Sequence, residues 1–423
     1  MKKLITITSL ILVAHLGQGQ DCNYFDPVHG VYAELDVFFG IDTRFNGAPD
    51  SLFMDIYKPV GDDNEARPVI FWYYGGGFSG GNRQEMATFC QLYASRGFVA
   101  VAADYRLGFE TPLLVSYPYA YDPNELVRAN YRAMQDAKGA IRFMKLRAAQ
   151  DSTDVNNFFA GGFSAGGFTA LAAGFWDLAS EKPVSCGAIG PANNNIPASP
   201  RPDLGPVEGH LYVGEADATL KGIVNIFGGM VDTTLISDNT GPAVYMYHQS
   251  TDPIVFCGHK QAYWNIPLGV PNGYPWVHGS CDLEDRFLFM GYTPDQLEFY
   301  EHPGNEHAVH DVNLIDSLSA RFVERLICTD ISTSVTGEET VELAVYPNPF
   351  SNSFWLSPKG LPSGIARLEL INTAGQVLLD SPVNIEQPGS PIEIQAAAAL
   401  PTGLYFIRIS LGSKIYFTKI LKS

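Results

Sequence analysis

The chain has 423 residues, which is long enough for about two or three domains of ordinary size. Hydrophobic residues make up 46% of it and charged residues 17%, a balance that allows a sizeable buried core and excludes wholesale disorder. The formal net charge of −18 argues against binding to nucleic acid or to an anionic lipid surface, because both interactions depend on exposed lysine and arginine.

The first twenty residues have the pattern of a cleaved export signal. Lys2 and Lys3 precede an apolar run over residues 4–16, and the letters GQGQ follow it. The run is too short to span a bilayer, since a membrane helix needs about 20 apolar residues. We therefore predict a signal peptide over residues 1–20 and a mature chain without a membrane span.

Short apolar runs alternate with helical patterns between residues 21 and 330. The runs PVIFWYY, GFVAVAADY and NNFFAGGF are typical of buried strands. Other stretches carry apolar residues three and four apart, as helices do: EMATFCQLYASR, NYRAMQDAKGAIRFMKLRAA and FTALAAGFWDLA. The alternation predicts an α/β domain over residues 21–330, with a mostly parallel sheet and helices on both faces.

The letters GGFSAGG contain a G-x-S-x-G pattern that runs from Gly162 to Gly166 around Ser164. A predicted strand leads into the pattern and a predicted helix leaves it, which is the setting of a nucleophile elbow. Glycines are needed there because the turn is too tight for Cβ atoms beside the serine. Ser164 is therefore the candidate nucleophile, and the alternative is a glycine-rich turn with an idle serine.

The stretch FWYYGGGFSGG, residues 71–81, places three consecutive glycines directly after a predicted strand. A serine nucleophile needs backbone N–H groups that stabilise the oxyanion formed on the attacked carbonyl, and glycine allows the backbone to approach closely. We predict that the N–H groups of Gly76, Gly77 and Ala165 form this oxyanion hole. The aromatic residues nearest to it in the sequence are predicted to bind the substrate: Tyr73, Tyr74 and Phe78.

Four motifs follow one another along the chain: YGGGF, ADYRLG, MQDAKGAIRFM and GGFSAGG. Together they resemble the α/β-hydrolase carboxylesterases, in the branch that contains hormone-sensitive-lipase-like and feruloyl or acetyl-xylan esterase-like enzymes. The resemblance covers roughly residues 35–327 and implies an α/β-hydrolase fold. One position departs from it, because Tyr74 stands where such enzymes usually have a histidine that shapes the oxyanion loop. The resemblance also implies that Arg106 and Asp136 brace the sheet and the elbow.

The acid and the base of the predicted triad follow the nucleophile in chain order in this fold. The letters HQSTDPIV resemble the family's H-G-x-x-D-x-x-V turn and mark Asp252 as the candidate acid, which orients the base and stabilises its charged form. Asp232 and Asp238 are competitors, but neither follows a comparable strand. The alternative for Asp252 is an Asp-Pro turn without chemistry.

The candidate base is His307. The family carries its base in a G-x-x-H loop after the last core strand, and residues 304–307 match that loop. Among the neighbouring histidines, His302 is expected on the strand before the loop and His310 on the helix after it.

The long connection between Asp252 and His307 is a candidate lid or substrate wall over residues 257–290. It contains four aromatic residues: Tyr263, Trp264, Tyr274 and Trp276. For each single ring, packing of the loop onto the body of the domain is the favoured alternative. Residues 113–125 form a second candidate rim of the pocket.

Six cysteines are present: Cys22, Cys90, Cys186, Cys257, Cys281 and Cys328. None forms a C-x-x-C pair, so a zinc or redox motif is not expected, and in an exported chain some should be paired. We predict a disulfide between Cys257 and Cys281. For Cys90 and Cys186 two alternatives stay open: they are paired in disulfides, or they are buried free thiols. The sequence shows no metal-ligand pattern and no phosphate loop, so we expect neither a metal nor a cofactor.

The pattern changes after a polar linker over residues 331–341. Residues 342–423 alternate apolar and polar positions between Gly, Pro and Asn, which predicts a small antiparallel β-sandwich. The letters VYPNPFSNSFWL, LPTGLYFIRI and YFTKILKS resemble the C-terminal sorting domain of the type IX secretion system. This resemblance implies that the secretion machinery binds the tail, and that the protein is secreted or held on the outer cell surface.

The sequence thus predicts a secreted serine carboxylic ester hydrolase that acts on a small-molecule or oligosaccharide ester. Feruloyl or acetyl esters of plant polysaccharides are the candidate substrates. Two alternatives stay open: a prolyl-oligopeptidase-like serine peptidase, which uses the same triad, and a surface binding module without catalytic activity.

Overall fold

A computed structural model describes most of the chain, in two compact units that divide between Ser332 and Thr333. The described residues are 22–109, 120, 122–191, 200–332, 342–359, 361, 363–372, 377–385, 387, 390–395, 400–411 and 414–422. The predicted signal peptide lies outside them, as do residues 333–341 of the predicted linker. Among the described residues, no helix has both the length and the apolar character that crossing a membrane requires.

The first unit is built on a sheet of eight strands. The described strands of this unit are β1 (Gly30–Thr43), β2 (Pro49–Val60), β3 (Arg67–Tyr73), β4 (Val99–Ala103), β5 (Thr153–Phe163), β6 (Gly222–Ile226), β7 (Gly229–Met230), β8 (Ala243–Gln249), β9 (His259–Gln261), β10 (Trp276–Gly279) and β11 (Leu297–His302). The order in the large sheet is β1-β2-β4-β3-β5-β6-β8-β11, and β7, β10 and β9 form a small separate sheet. The six strands β4, β3, β5, β6, β8 and β11 run parallel to one another, whereas β2 is antiparallel to both of its neighbours, β1 and β4.

Helices connect the parallel strands. They are α1 (Ala87–Ser95), α2 (Pro123–Leu146), α3 (Ala148–Asp151), α4 (Ala165–Phe175), α5 (Ser280–Phe289) and α6 (Val312–Ser332). Helix α2 begins where the Asp122 side chain accepts a hydrogen bond from the Asn124 N–H, with Pro123 as its first residue. This strand and helix arrangement confirms the α/β-hydrolase fold that the sequence predicts.

The core of the first unit lies on the central strands, whose side chains are hidden on both faces by helices. Phe71, Val101, Phe159, Val224 and Met246 are all 0% exposed. Burying a side chain of this size stabilises the fold by about 1.5–3 kcal/mol. Because helices cover both faces of these strands, side chains on either face are buried, and the strand sequences are almost continuously apolar.

Two disulfides are present in the first unit. The predicted Cys257–Cys281 bond is confirmed, and a second bond joins Cys22 to Cys328 across 306 positions of sequence. The remaining two cysteines are buried free thiols: Cys90 and Cys186. Burial raises the pKa of the Cys186 thiol to about 12, so it is not a nucleophile at neutral pH.

The second unit is an antiparallel β-sandwich, as the sequence predicts. Its strands are β12 (Glu342–Tyr346), β13 (Ser353–Lys359), β14 (Gly364–Asn372), β15 (Val377–Ile385), β16 (Ile392–Gln395), β17 (Gly403–Leu411) and β18 (Lys414–Lys422). They form the sheets β12-β13-β16 and β15-β14-β17-β18. Phe354 of the first sheet and Leu368 and Ile407 of the second belong to one buried apolar cluster, which is the core between the sheets.

Candidate active site

Ser164 lies in a sharp turn between β5 and α4, at the C-terminal edge of the large sheet. Its φ is +53° and its ψ −118°, a conformation that residues other than glycine rarely adopt and that functional sites hold under strain. The glycines on either side of Ser164 are required because there is no room for a Cβ atom at their positions. A Cβ atom on Gly162 would lie 2.2 Å from the carbonyl carbon of Gly166, and one on Gly166 would lie 2.1 Å from the Tyr73 carbonyl oxygen.

The three predicted triad residues come together although 143 positions separate the first from the last. His307 Nε2 lies 2.8 Å from Ser164 Oγ, and His307 Nδ1 lies 2.6 Å from Asp252 Oδ2. With Nδ1 protonated, the imidazole donates to the carboxylate, and Nε2 is free to accept the serine hydroxyl proton. Asp252 follows β8 and His307 follows β11, so two neighbouring parallel strands deliver both side chains to one edge.

The carboxylate of Asp252 is 0% exposed and surrounded by donors. The backbone N–H groups of Ile254 and Val255 donate to Oδ1 at 2.8 and 3.0 Å. Burial by itself raises the pKa of Asp252, but hydrogen bonds from His248 and His307 outweigh it and leave the pKa below its usual value. Asp252 is therefore ionised at neutral pH and able to stabilise an imidazolium.

His248 is a site residue that the sequence reasoning did not find. It is fully buried, and its Nε2 lies 2.7 Å from the Val255 carbonyl oxygen and 3.6 Å from Asp252 Oδ2. Its Nδ1 lies 2.9 Å from the hydroxyl of Ser280, the first residue of α5. An imidazole that donates from Nε2 to a carbonyl and accepts at Nδ1 is neutral, so His248 supports the Asp252 turn without adding a charge.

Phe227 is the second residue that the sequence did not indicate. Its ring meets the His307 imidazole edge-on, with 4.7 Å between centroids, and its φ is +41°. The contact covers one face of the imidazole with an apolar group. No motif marks this phenylalanine, because it lies in a short connection between β6 and β7.

The glycine run lies against the elbow. A Cβ atom on Gly75 would be 3.4 Å from the Cβ of Ser164. Gly76 and Gly77 have φ values of +114° and +60°, which turn their backbone away from ordinary strand geometry. Within the described residues, neither of their N–H groups donates to a backbone carbonyl, and Ala165 is the first residue of α4, where N–H groups lack helical partners.

The three aromatic residues predicted to bind substrate are instead core residues. Tyr73, Tyr74 and Phe78 are 0%, 2% and 1% exposed. Tyr73 is the last residue of a strand that helices cover on both faces, and the turn of the glycine run directs Phe78 inward. Nearness to the nucleophile in sequence therefore does not give these rings an open surface, and their contact with substrate stays a prediction.

Tyr74 has a structural partner that explains its place in the loop. Its ring stacks on that of Tyr105 at 4.3 Å, its hydroxyl donates to the Tyr105 carbonyl oxygen, and the Tyr105 hydroxyl donates back to the Tyr74 carbonyl oxygen. This reciprocal pair fixes the start of the glycine run, at the position where the resembled enzymes have a histidine.

The other predicted neighbours of the site have mixed outcomes. Arg106 forms a buried ion pair with Asp136, as expected of a brace. His302 ends β11 as predicted, but His310 precedes α6 rather than lying on it, and its ring stacks on His302 at 3.7 Å. The candidate rim over residues 113–125 lies largely outside the described residues.

The loop after Asp252 packs mostly onto the domain. Tyr274 is fully buried against Tyr263, and the Trp264 indole N–H donates to the backbone carbonyl of Asp252 at 2.7 Å. Trp276 is the exception and is 54% exposed. Cys257, Cys281 and Glu301 are close enough to hold a metal ion, but the two sulfur atoms are bonded to each other and are not free ligands.

The chain matches known proteins in both units. Residues 54–228 match the BD-FAE family model, and residues 344–423 match the model of the secretion system C-terminal sorting domain. Gut esterase 1 of Caenorhabditis elegans is 30% identical over 119 residues, which are 28% of this chain and 19% of that protein. Fumonisin B1 esterase of Sphingopyxis macrogoltabida is 31% identical over 153 residues, which are 36% of this chain and 27% of that protein.

The matched segment thus spans about a fifth to a quarter of the length of these curated relatives. Among solved structures, a truncated carbohydrate esterase from gut microbiota is 18% identical, with 71% of this chain and 98% of that chain covered and a TM-score of 0.45. Thermogutta terrifontis esterase 2 is 16% identical, with 73% and 96% covered and a TM-score of 0.43.

The C-terminal match bears on location, because a sorting domain of this kind indicates a secreted or cell-surface protein. Its position agrees with the tail that the sequence analysis identified. The chain is thus similar to the BD-FAE esterases over residues 54–228, within an α/β-hydrolase fold, and to secretion system C-terminal sorting domains over residues 344–423.

Proposed function

We propose that the protein is a secreted serine carboxylic ester hydrolase that works through an acyl-enzyme. The observation that carries this proposal is the continuous hydrogen-bonded chain from Ser164 through His307 to Asp252. Acyl transfer needs a nucleophile within reach of a base, and a third group that orients the base. The match of residues 54–228 to an esterase family supports carboxylic esters as the substrate class.

In the acylation step, Ser164 Oγ attacks the ester carbonyl carbon while His307 Nε2 takes the hydroxyl proton. Negative charge develops on the carbonyl oxygen, and the N–H groups of Gly76, Gly77 and Ala165 stabilise it. When the tetrahedral intermediate collapses, the ester C–O bond breaks and His307 gives its proton to the leaving alcohol.

In the deacylation step, a water molecule takes the place of the alcohol. His307 removes a proton from the water, whose oxygen attacks the acyl carbon, and the carboxylic acid leaves as Ser164 regains its proton. Asp252 stabilises the positive imidazolium in both steps, which is why a buried but ionised carboxylate suits the position.

For the natural substrate we propose feruloyl or acetyl esters of plant polysaccharides. The motif resemblance to esterases of that kind supports this choice. A sorting domain over residues 344–423 also supports it, since an exported enzyme meets polymers too large to enter a cell. In the same proposal, residues 342–423 are the part that the secretion machinery binds.

The direct test is hydrolysis of p-nitrophenyl acetate, butyrate and octanoate by the wild type and by Ser164→Ala. We expect the variant to lose about 10⁴- to 10⁶-fold in kcat, because no other hydroxyl occupies the elbow. Ser95→Ala is a matched control, since the Ser95 hydroxyl only donates to the Leu92 carbonyl in α1. It should keep wild-type kinetics.

The substrate is tested with a feruloyl ester and an acetylated xylan under the same conditions. Release of ferulate or acetate by the wild type and not by Ser164→Ala is the expected result. Wild-type protein that is inert on every ester, or a Ser164→Ala variant as active as the wild type, would overturn the proposed hydrolase activity.

A further inference from the structure

The side chain of Gln249 bridges the two residues that flank His307 in the chain. Its Oε1 accepts a hydrogen bond from the Glu306 backbone N–H at 2.9 Å, and its Nε2 donates to the Ala308 carbonyl oxygen at 2.9 Å. Gln249 is the last residue of β8 and is 2% exposed. One buried side-chain amide therefore accepts a hydrogen bond from the residue before the candidate base and donates one to the residue after it.

The loop is shaped around this amide. A Cβ atom on Gly304 would lie 2.1 Å from Gln249 Oε1, so the loop passes the glutamine at a point where only glycine fits. The start of the loop is held separately. Thr251 donates from its N–H and its hydroxyl to the Gly304 carbonyl, and the Ser250 N–H donates to the His302 carbonyl.

Gln249 thus holds the segment that carries His307 on both sides, and the Tyr247 hydroxyl adds a longer contact of 3.3 Å to the Ala308 carbonyl oxygen. The imidazole must meet Ser164 Oγ on one side and Asp252 Oδ2 on the other, and both contacts are short. A displacement of about 1 Å in such a group can lower the rate by about 10²-fold. A rigid strand end is a better anchor for this geometry than the loop itself.

We propose that Gln249 is a positioning residue, which fixes the backbone on both sides of His307 so that the imidazole stays aligned between Ser164 and Asp252. The family motif that HQSTDPIV resembles has a glycine at the position of Gln249. A glycine has no side chain, so it could not form the two hydrogen bonds that Gln249 forms in this protein. The inference rests on the proposed function, because it takes His307 as the base.

The test is Gln249→Met, which keeps the length of the side chain and removes both hydrogen bonds. We expect kcat for p-nitrophenyl acetate to fall about 10- to 100-fold while KM changes little, because alignment of the base affects the chemical step rather than binding. A crystal structure of the variant should show a His307 Nε2 to Ser164 Oγ distance longer than the 2.8 Å of the wild type.

A matched control separates positioning from lost stability. Gln135 in α2 is also 2% exposed, and its Nε2 donates to the Leu204 and Pro206 carbonyl oxygens at 2.9 and 2.7 Å. Gln135→Met therefore removes an equally buried amide clamp from a loop that carries no triad residue; it also removes a 3.2 Å contact to Arg106, which keeps its ion pair with Asp136. Both variants should unfold at lower temperature, and only Gln249→Met should lose kcat.

A second variant and a measurement on the wild type guard against a Gln249→Met protein that does not fold. Gln249→Glu keeps the acceptor for the Glu306 N–H, but its carboxylate cannot donate to Ala308, so kcat should again fall with KM retained. In the wild type, the Glu306 amide should be protected from hydrogen exchange. Folded Gln249 variants with wild-type kcat, or a freely exchanging Glu306 amide, overturn the inference. The proposed function beneath it is overturned by different results, which are an inert wild type or a fully active Ser164→Ala variant.

Discussion

The carboxylate of Asp252 shows how a charged group is kept in the interior. Three donors contact it, two backbone N–H groups and the imidazole of His307, and the His248 imidazole lies 3.6 Å away. Hydrogen bonds to the ionised form lower the pKa of Asp252 more than burial raises it. The residue therefore holds a full negative charge next to the base over the pH range in which a neutral imidazole can accept a proton.

Asp252→Asn should lower kcat by about 10⁴-fold at neutral pH, because an amide carries no charge and, with its oxygen held by the Ile254 and Val255 N–H groups, turns an NH2 donor toward His307 Nδ1. The measurement is the hydrolysis of p-nitrophenyl acetate at saturating substrate. KM should change little, since the side chain is completely buried and does not contact substrate.

Asp232→Asn is the control for this change. Asp232 accepts a hydrogen bond from the Thr234 N–H in a surface turn, a role that asparagine fills as well. Its kcat should equal that of the wild type. An Asp252→Asn enzyme with wild-type kcat would remove Asp252 from the mechanism.

Sequence reasoning reached Ser164, Asp252 and His307 because each lies in a short pattern with its own backbone requirement. His248 and Gln249 end the strand letters AVYMYHQ and open the motif HQSTDPIV, which marks only Asp252 and assigns no role to these two side chains. Their partners, Ser280 for one and Glu306 with Ala308 for the other, are more than thirty positions away in the chain. Such pairings depend on the register between β8 and its neighbours, which no local pattern specifies.

The glycine run over residues 75–81, proposed to form the oxyanion hole, is an element in which backbone geometry matters more than side chains. Its first residue is fixed by the stacked Tyr74–Tyr105 pair, and its glycines take positive φ values. The sequence predicted the loop from its glycines. It did not predict which side of β3 each aromatic ring faces, because that depends on how the turn leaves the strand.

Gly76→Ala should lower kcat by about 10²- to 10³-fold, the usual effect of losing one oxyanion donor. The added Cβ would lie 2.4 Å from the Gly80 carbonyl oxygen, and a φ of +114° is unfavourable for alanine, so the loop must move. The measurement is kcat for p-nitrophenyl acetate, beside circular dichroism that verifies the fold.

Gly80→Ala in the same loop is the matched control. Among the described residues, no atom lies within 4 Å of a Cβ at Gly80, and its φ is not in the left-handed region. This variant should keep wild-type kcat. Equal losses in both variants would mean that the whole loop tolerates no side chain, and would contradict a specific role for the Gly76 backbone.

At the scale of the whole molecule, the two disulfides differ in how close they lie to the candidate active site. Cys22–Cys328 ties the segment before β1 to α6. Cys22 lines a surface cavity together with Ala66 and Gly97, which precede strands β3 and β4. Ser164 follows β5, at the opposite edge of the parallel sheet. Cys257–Cys281 closes a shorter loop that begins five residues after Asp252, and Cys281 adjoins Ser280, the partner of His248.

These positions predict that the double variant Cys22→Ala with Cys328→Ala loses stability without losing activity. The bond restricts the unfolded chain across 306 positions, and removing such a bond lowers the free energy of unfolding by about 2–4 kcal/mol. Urea unfolding should show this loss, and kcat at 25 °C should not change.

The double variant Cys257→Ala with Cys281→Ala should lose kcat as well, because it frees the segment that supports His248 and the Asp252 turn. We thus expect Cys22–Cys328 to stabilise the fold alone and Cys257–Cys281 to position the site as well. A fall in kcat without Cys22–Cys328, or wild-type kcat without Cys257–Cys281, would contradict this expectation.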